Sequence, residues 1–454
     1  MPKNQDKAKT FQRPRGTHDI LPEEQMLWGK CRDVLRSLSS FYGFGRIDTP
    51  HFEDTDLFLV GVGKTTDIVS KQMYSFKTRG GDQLTLRPEG TAPIARAYVE
   101  HGMASWPQPI KLYYEGSFFR HESPQRGRFR ELHQWGIELI GEENAVADAE
   151  VIQVFRAFLG EWGFKDAAVE VNSVGCPSCR ASYKGQLSQF YRSRTRGLCR
   201  DCKERLKENP LRLLDCSEEG CAAIKKSAPQ ILDRLCEACR NHFKSLLEFL
   251  EEAGIPYVLN PHLVRGLDYY TRTVFEFFVE SGGKHEDAVS SALNEVVTEK
   301  DESAKEPQKR LAVVGGGRYD GLIELLGGRP TPAVGGAMGL ERIVHLIKAR
   351  AQNIPESKKP KVFLVQLGDL AKKKSFRIME ELRKANITMA ESLGRDSIRS
   401  QLNIADRVGA EFALLLGQKE ALDDMVILRE MSSGIQESLP QSKLIEMLRR
   451  KLKK

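Results

Sequence analysis

Residues 21–42 place apolar side chains at Met26, Leu27, Val34, Leu35 and Leu38, close to the period that turns one helix face toward a core. The pattern then changes. Residues 84–87, 110–114 and 137–140 are short β-branched or aromatic runs, and turns rather than regular helices are expected between them. Such spacing predicts a mixed or antiparallel sheet rather than a doubly wound parallel one. Strand-like text returns at 263–279 and at 311–314, ahead of Gly315, Gly316 and Gly317, and a helix is expected from near Gly339 to Ala349. Residues 281–310 are polar and charged without an apolar period, which predicts a flexible excursion with no catalytic role.

Residues 351–360, AQNIPESKKP, read as a linker. Beyond it the chain alternates as a small α/β domain does: strand 362–367, helix to 386, strand 387–390, helix 397–409, strands 412–416 and 425–429, and a closing helix 440–454. The last helix carries Lys443, Arg449, Arg450, Lys451, Lys453 and Lys454, which suits either nucleic-acid contact or its own dipole.

A chain of 454 residues exceeds one ordinary core. No apolar run reaches the roughly 20 residues of a membrane span. The basic N-terminus lacks the apolar stretch of a signal peptide, so a cytoplasmic location is expected. Lys and Arg number 69 against 62 Asp and Glu, a net +7 that permits a nucleic-acid partner without demanding one.

Candidate chemistry is concentrated in a few segments. Residues 116–138 join Phe119-Arg120-His121-Glu122 to a second strand-like run through a loop rich in arginine. Arg120 offers a planar fork for a phosphate, and Glu122 can only accept hydrogen bonds while ionised. Two residues apart on a strand, they are expected on one face. Arg87 and Glu89 flank a turn, where a carboxylate can meet an ammonium group or close a structural salt bridge. Arg265 precedes Gly266 and the pair Tyr269-Tyr270, either clamping an anion or lying neutralised beside an aromatic strand. Arg342 follows the small-residue run 333–339 on the first turns of a helix. Gly61-Val-Gly-Lys-Thr-Thr66 lacks the glycine five positions before Gly-Lys that a phosphate loop needs, because position 58 is phenylalanine.

Eight of the nine cysteines lie between residues 173 and 245, paired as Cys176/Cys179, Cys199/Cys202, Cys216/Cys221 and Cys236/Cys239. In a reducing compartment such spacing suits two structural four-cysteine zinc sites in a helical insertion, or else ordinary thiols.

Together these segments resemble a class II aminoacyl-tRNA synthetase of the bacterial histidyl type. The three ordered motifs of that class match residues 21–50, 116–138 and 335–342, and LVRGLDYY at 263–270 with GGGRYDGL at 315–322 add histidine-specific signatures. The resemblance implies an α+β fold. It places a class II antiparallel-sheet catalytic domain at 1–350, with the Cys-rich, mainly helical insertion at 173–245. A linker at 351–360 and a C-terminal α/β anticodon-binding domain at 361–454 follow. It implies a histidine–tRNA ligase, acting as a homodimer on ATP, Mg2+, L-histidine and histidine tRNA. Arg120, Arg265 and Arg342 would be catalytic, Arg120 and Arg265 at the α-phosphate and Arg342 at the γ-phosphate, with Glu122 on the adenine amino group. Glu89, Gly90 and Thr91, with Gln134, would hold the histidine ammonium. Glu138 and Tyr270 would meet the ring, beside Arg265 and a wall formed by Tyr269. The loop 123–130 would approach the acceptor stem. Leu132 stands where the family carries an aromatic residue against adenine, with Phe129 nearby. Two other readings are a silent paralogue that regulates histidine biosynthesis and a zinc-dependent nucleic-acid-binding module. The first usually lacks several of these arginines and the C-terminal domain, and the second accounts only for the cysteines.

Overall fold

The computed structural model describes residues 11–64, 66–122, 129–216, 218–279, 311–350, 359–394 and 397–452. The excursion 281–310, most of the linker and most of the loop 123–130 lie outside those residues. The chain divides into two units, Met1–Pro355 and Glu356–Lys454.

The first unit is built on strands β1 (Gly45–Arg46), β2 (Phe52–Asp54), β3 (Tyr74–Lys77), β4 (Gln83–Leu86), β5 (Ile110–Phe119), β6 (Glu131–Ile140), β7 (Ala168–Ser173), β8 (Tyr257–Leu259), β9 (Thr271–Val279), β10 (Leu311–Arg318) and β11 (Ala333–Gly339). Eight of them form one sheet in the order β1-β5-β6-β11-β10-β9-β7-β8, antiparallel except where β1 meets β5 and β7 meets β8. The expected antiparallel sheet is therefore present, and β2, β4 and β3 form a small separate one.

The helix Pro22–Phe41 starts on a proline at its first position and carries Glu23 and Glu24 in its first turn, where carboxylates suit the dipole. Its Leu27, Trp28, Cys31 and Leu35 enter a core with Trp135, Phe155 and Phe158. The last two belong to the apolar helix Ala145–Glu161. Truncating either phenylalanine to alanine should cost about 3–5 kcal/mol.

Three local expectations are corrected. A ten-residue helix, Thr91–Glu100, stands between β4 and β5 where only turns were expected. Its Thr91-Ala-Pro-Ile-Ala-Arg-Ala is buried on nearly all sides, so no polar stripe reveals the period. Residues 263–270 are irregular and the strand begins only at Thr271. The strand β5 ends at Phe119, so Arg120 and Glu122 owe their proximity to the chain beyond the strand, not to its alternation.

The insertion holds helices Pro177–Arg192, Arg200–Glu208 and Glu219–Lys225, and the helix Glu237–Glu252 leads back to the main sheet. Tyr183, Leu187, Tyr191, Leu213 and Leu214 give it a small core shared with five buried cysteines. Phe243, Leu246 and Leu250 of the returning helix join the main core instead.

The second unit has a five-stranded mixed sheet of β12 (Val362–Gln366), β13 (Met389–Glu391), β14 (Phe412–Leu416), β15 (Met425–Glu430) and β16 (Gln436–Pro440), in the order β13-β12-β14-β15-β16. The closing helix is shorter than expected, Leu444–Lys451, because Gln436–Pro440 pairs as an edge strand, where proline is tolerated.

Candidate active site

A pocket opens over the central strands β6, β11 and β10 of the large sheet. Its floor is made by paired strands with little side-chain bulk: Gly315 faces Ala337, and Gly316 faces Gly336. A Cβ on Gly315 would sit 2.1 Å from Arg265 Nη2, so the guanidinium lies directly over this backbone. Glycine is required here by close approach.

One end of the pocket is acidic and tyrosine-rich. Glu89 accepts from the amides of Thr91 at 2.7 Å and Ala92 at 2.9 Å, capping the helix that follows, while the Tyr269 hydroxyl lies 3.4 Å from Oε2. Burial raises its carboxyl above the usual range, and the two amides oppose the shift. Gln134 reaches the wall with its buried Oε1 unpartnered among the described residues. Gly90 is packed shut by Tyr114, whose Cζ would lie 2.4 Å from an added Cβ. Gly90 thus leaves room for the ring to pack against its backbone.

Glu138 is placed behind this wall, fully buried. The Thr91 hydroxyl donates to its Oε1 at 2.7 Å and the Tyr319 hydroxyl to its Oε2 at 2.6 Å. Burial pushes its carboxyl up to about 8, and nearby Glu89 adds to the rise. Tyr270 and Tyr269 line the pocket with ring centroids 4.7 Å apart.

The other end is cationic. Arg265 pairs with Glu276. Burial works against the guanidinium charge, but Glu276, Tyr270 and Asp215 together outweigh it and hold the group ionised. Arg120 donates Nε to the Pro88 carbonyl at 2.8 Å, leaving its Nη1 3.9 Å from Glu122. Arg342 donates to the Ala312 carbonyl at 2.5 Å. All three arginines and Glu122 face the same cavity, with Phe129, Leu132 and Glu341. Phe129 packs its ring 4.5 Å from that of His18. Glu341 is fixed by the backbone amide and Nδ1 of His133, each at 2.8 Å.

Arg87 is not in this pocket. It donates to the carbonyls of Ser117 and Thr49 and lies 4.5 Å over the Phe118 ring. Tyr114, Glu276 and Tyr319 were not singled out in the sequence. Tyr319 belongs to the 315–322 signature, and Glu276 alternates with apolar residues in β9, a signal that could have marked it. In the same signature, Arg318 is fully buried and paired with Asp148, so it anchors the sheet to the helix Ala145–Glu161.

The eight insertion cysteines form two groups, Cys176, Cys179, Cys236 and Cys239, and Cys199, Cys202, Cys216 and Cys221, with all Sγ atoms of a group within 4.8 Å of one another. Cys176 and Cys179 Sγ are 3.6 Å apart, and Cys199 and Cys216 Sγ 3.9 Å. A tetrahedral ion with metal–sulfur bonds of about 2.3 Å needs a sulfur separation of about 3.8 Å. Backbone amides point at the sulfurs as they do around thiolates: Cys236 N to Cys179 Sγ at 3.1 Å, and Cys199 N to Cys221 Sγ at 3.3 Å. Both groups could hold a metal ion.

The histidyl-tRNA synthetase family profile matches residues 16–289, and an anticodon binding domain profile matches residues 361–451. A histidine–tRNA ligase of Dehalococcoides mccartyi is 44% identical over 435 residues, 96% of this chain and 98% of that protein. One of Desulfitobacterium hafniense is 43% identical over 443 residues, 98% of this chain and 99% of that protein. The apo histidyl-tRNA synthetase of S. aureus superposes with a TM-score of 0.74 at 32% identity, covering 97% of this chain and 100% of that one. The match thus extends over both units and nearly the full length of each relative, and the chain belongs to the histidyl-tRNA synthetase family.

Proposed function

We propose that the protein activates L-histidine with ATP, releasing pyrophosphate, and transfers the histidyl group from the adenylate to the 3′ end of histidine tRNA. The observation that carries this reading is one cavity that joins a buried carboxylate–tyrosine end to an end with three arginines. A zwitterionic amino acid and a triphosphate need those two ends side by side.

Glu89 and the unpartnered Gln134 Oε1 accept from the ammonium group, beside Thr91. Tyr270 meets the imidazole, and Glu138 acts on the ring from behind the wall through the network of Thr91 and Tyr319. A site that hydrogen-bonds a ring in this way can reject a ring lacking nitrogens by about 10⁴-fold, because its polar groups would be left unpaired. The histidine carboxylate then attacks the α-phosphorus. Arg265 and Arg120 balance the charge that develops there, and Arg342 holds the γ-phosphate end. Magnesium, bound with ATP near the carboxylates Glu122, Glu276 and Glu341 of this end, would supply further neutralisation of phosphate charge. Glu122 takes the adenine amino group, and Phe129 supplies the aromatic face that Leu132 lacks.

In this reading residues 1–350 catalyse, the insertion 173–245 carries two structural zinc ions, and residues 361–454, beyond the linker 351–360, bind the anticodon region. The protein works as a cytoplasmic homodimer, and the loop 123–130 meets the acceptor end. The test is charging of histidine tRNA by purified protein, where failure of a folded preparation to form histidyl-tRNA would overturn the reading.

A further inference from the structure

The insertion is packed against the outside of residues 263–270, the loop that carries Arg265, Tyr269 and Tyr270 into the active site. Irregular chain has no ladder to hold it, so its position depends on partners outside itself. Several of those partners come from segments pinned by the cysteine groups, beside Asn172 of β7, which donates to the Leu263 carbonyl at 2.9 Å. Arg180 follows the ligand candidate Cys179 directly, and its Nη1 donates to the carbonyls of Asp268 at 3.1 Å and Tyr270 at 2.7 Å. The stretch between Cys202 and Cys216 supplies a further one. Asn209 Nδ2 donates to Asp268 Oδ1 at 2.9 Å. Arg205 and Arg212 both pair with Asp67, the residue after the segment 61–66 that was excluded as a phosphate loop. That segment braces the same residue from below, since the Val62 carbonyl accepts from the Asp268 amide at 3.1 Å. Asp215, next to Cys216, lies within electrostatic reach of Arg265.

Arg205 and the Pro210–Asp215 turn therefore occupy a 13-residue span whose two ends, Cys202 and Cys216, belong to one four-sulfur group. Short helices of this kind, with a small shared core, have little to fix them except that group. We propose that a zinc ion at Cys199, Cys202, Cys216 and Cys221 positions Asn209 and Arg212 against Asp268 and Asp67, and so sets the histidine-binding geometry of residues 263–270. The metal site is remote from the chemistry; Asn209 is a positioning residue that acts through Asp268. This inference rests on the proposed histidine site for its binding readout, but not for its readout of loop order.

Full-length protein purified without chelator is compared with Cys199→Ser/Cys202→Ser and with Asn209→Ala. Three quantities are read: zinc content, hydrogen exchange of the 263–270 amides, and calorimetric affinity for histidine and for ATP. The wild type should hold two zinc ions per chain, the double cysteine variant one, and Asn209→Ala two. Both variants should exchange the loop amides faster. Both should lose about tenfold in histidine affinity, on the scale of one hydrogen bond, and lose less for ATP, which Arg120 and Arg342 also hold from outside the loop. Asn209→Ala keeps both metal sites, so its result stands even if the cysteine variant misfolds. A wild type without zinc, or unchanged loop exchange in a zinc-depleted folded variant, overturns the proposal. Wild type that fails to bind histidine but loosens at 263–270 on zinc loss would defeat the functional reading and leave the coupling standing.

Discussion

The Tyr319 hydroxyl donates to Glu138 Oε2 at 2.6 Å, on a carboxylate with no exposed surface whose other oxygen is held by Thr91. The pair ties the 315–322 signature of β10 and its following turn to β6, beneath the pocket wall. Tyr319→Phe leaves Glu138 one donor short in a buried site, which should cost about 1–3 kcal/mol. Denaturant unfolding of the variant measures the loss, and a histidine KM raised with ATP KM unchanged would place the effect at the amino-acid end.

Glu138 also makes a pH prediction. Burial pushes its carboxyl up to about 8 in the folded state, against the ordinary 4.5 of a glutamate in the unfolded chain, so between these values the folded state holds a proton that the unfolded state has lost. Stability should therefore fall as pH rises through that window. Glu138→Gln removes the slope. Melting temperatures of both proteins at pH 5 and pH 8 check it: the variant should gain on the wild type at the higher pH.

The same group predicts proton release. An ammonium group arriving beside Glu89 favours the ionised forms of both carboxyls, whose protonation burial had favoured. Histidine binding near pH 7 should expel part of a proton. Calorimetry in two buffers of different ionisation heat would reveal it as a difference in apparent enthalpy, and equal enthalpies would deny the coupling.

At the cationic end, Gly315→Ala brings a methyl to 2.1 Å from Arg265 Nη2 and must displace the guanidinium. A shift on the order of 1 Å at a charge-placing group can cost about 10²-fold in rate. Pyrophosphate exchange should drop by that amount while the circular dichroism spectrum is retained. Arg265→Lys keeps a charge but loses the planar fork, and should lose about 10²–10³-fold in kcat.

Period and turn chemistry made the large elements legible: the Pro22–Phe41 helix, the β5–β6 hairpin and the alternation of the C-terminal unit all follow from local pattern. The Thr91–Glu100 helix was hidden because it is buried on almost every side, and burial removes the polar face that reveals a period. At the site, the arginines and Glu89 stand out as charges among apolar residues. Tyr319 and Tyr114 do not, since a tyrosine in a strand or turn reads as core until its hydroxyl finds a partner. Nor could spacing alone pair the cysteines: Cys176/Cys179 join Cys236/Cys239 across the insertion through the packing of two helix N-termini. Gln134 was read at the histidine ammonium and Glu138 at its ring; four residues apart they share one face of β6, but Gln134 lines the cavity while Thr91 and Tyr319 hold Glu138 farther along the strand, a partnership that spacing cannot reveal.

In the proposed function the two ends of this cavity unite histidine with ATP. Histidine-dependent exchange of labelled pyrophosphate into ATP tests it most directly. Exchange should saturate with histidine, be negligible with phenylalanine, and be nearly abolished in Arg265→Ala. A folded, zinc-loaded wild type that shows no exchange with histidine, or exchanges equally with phenylalanine, would contradict it.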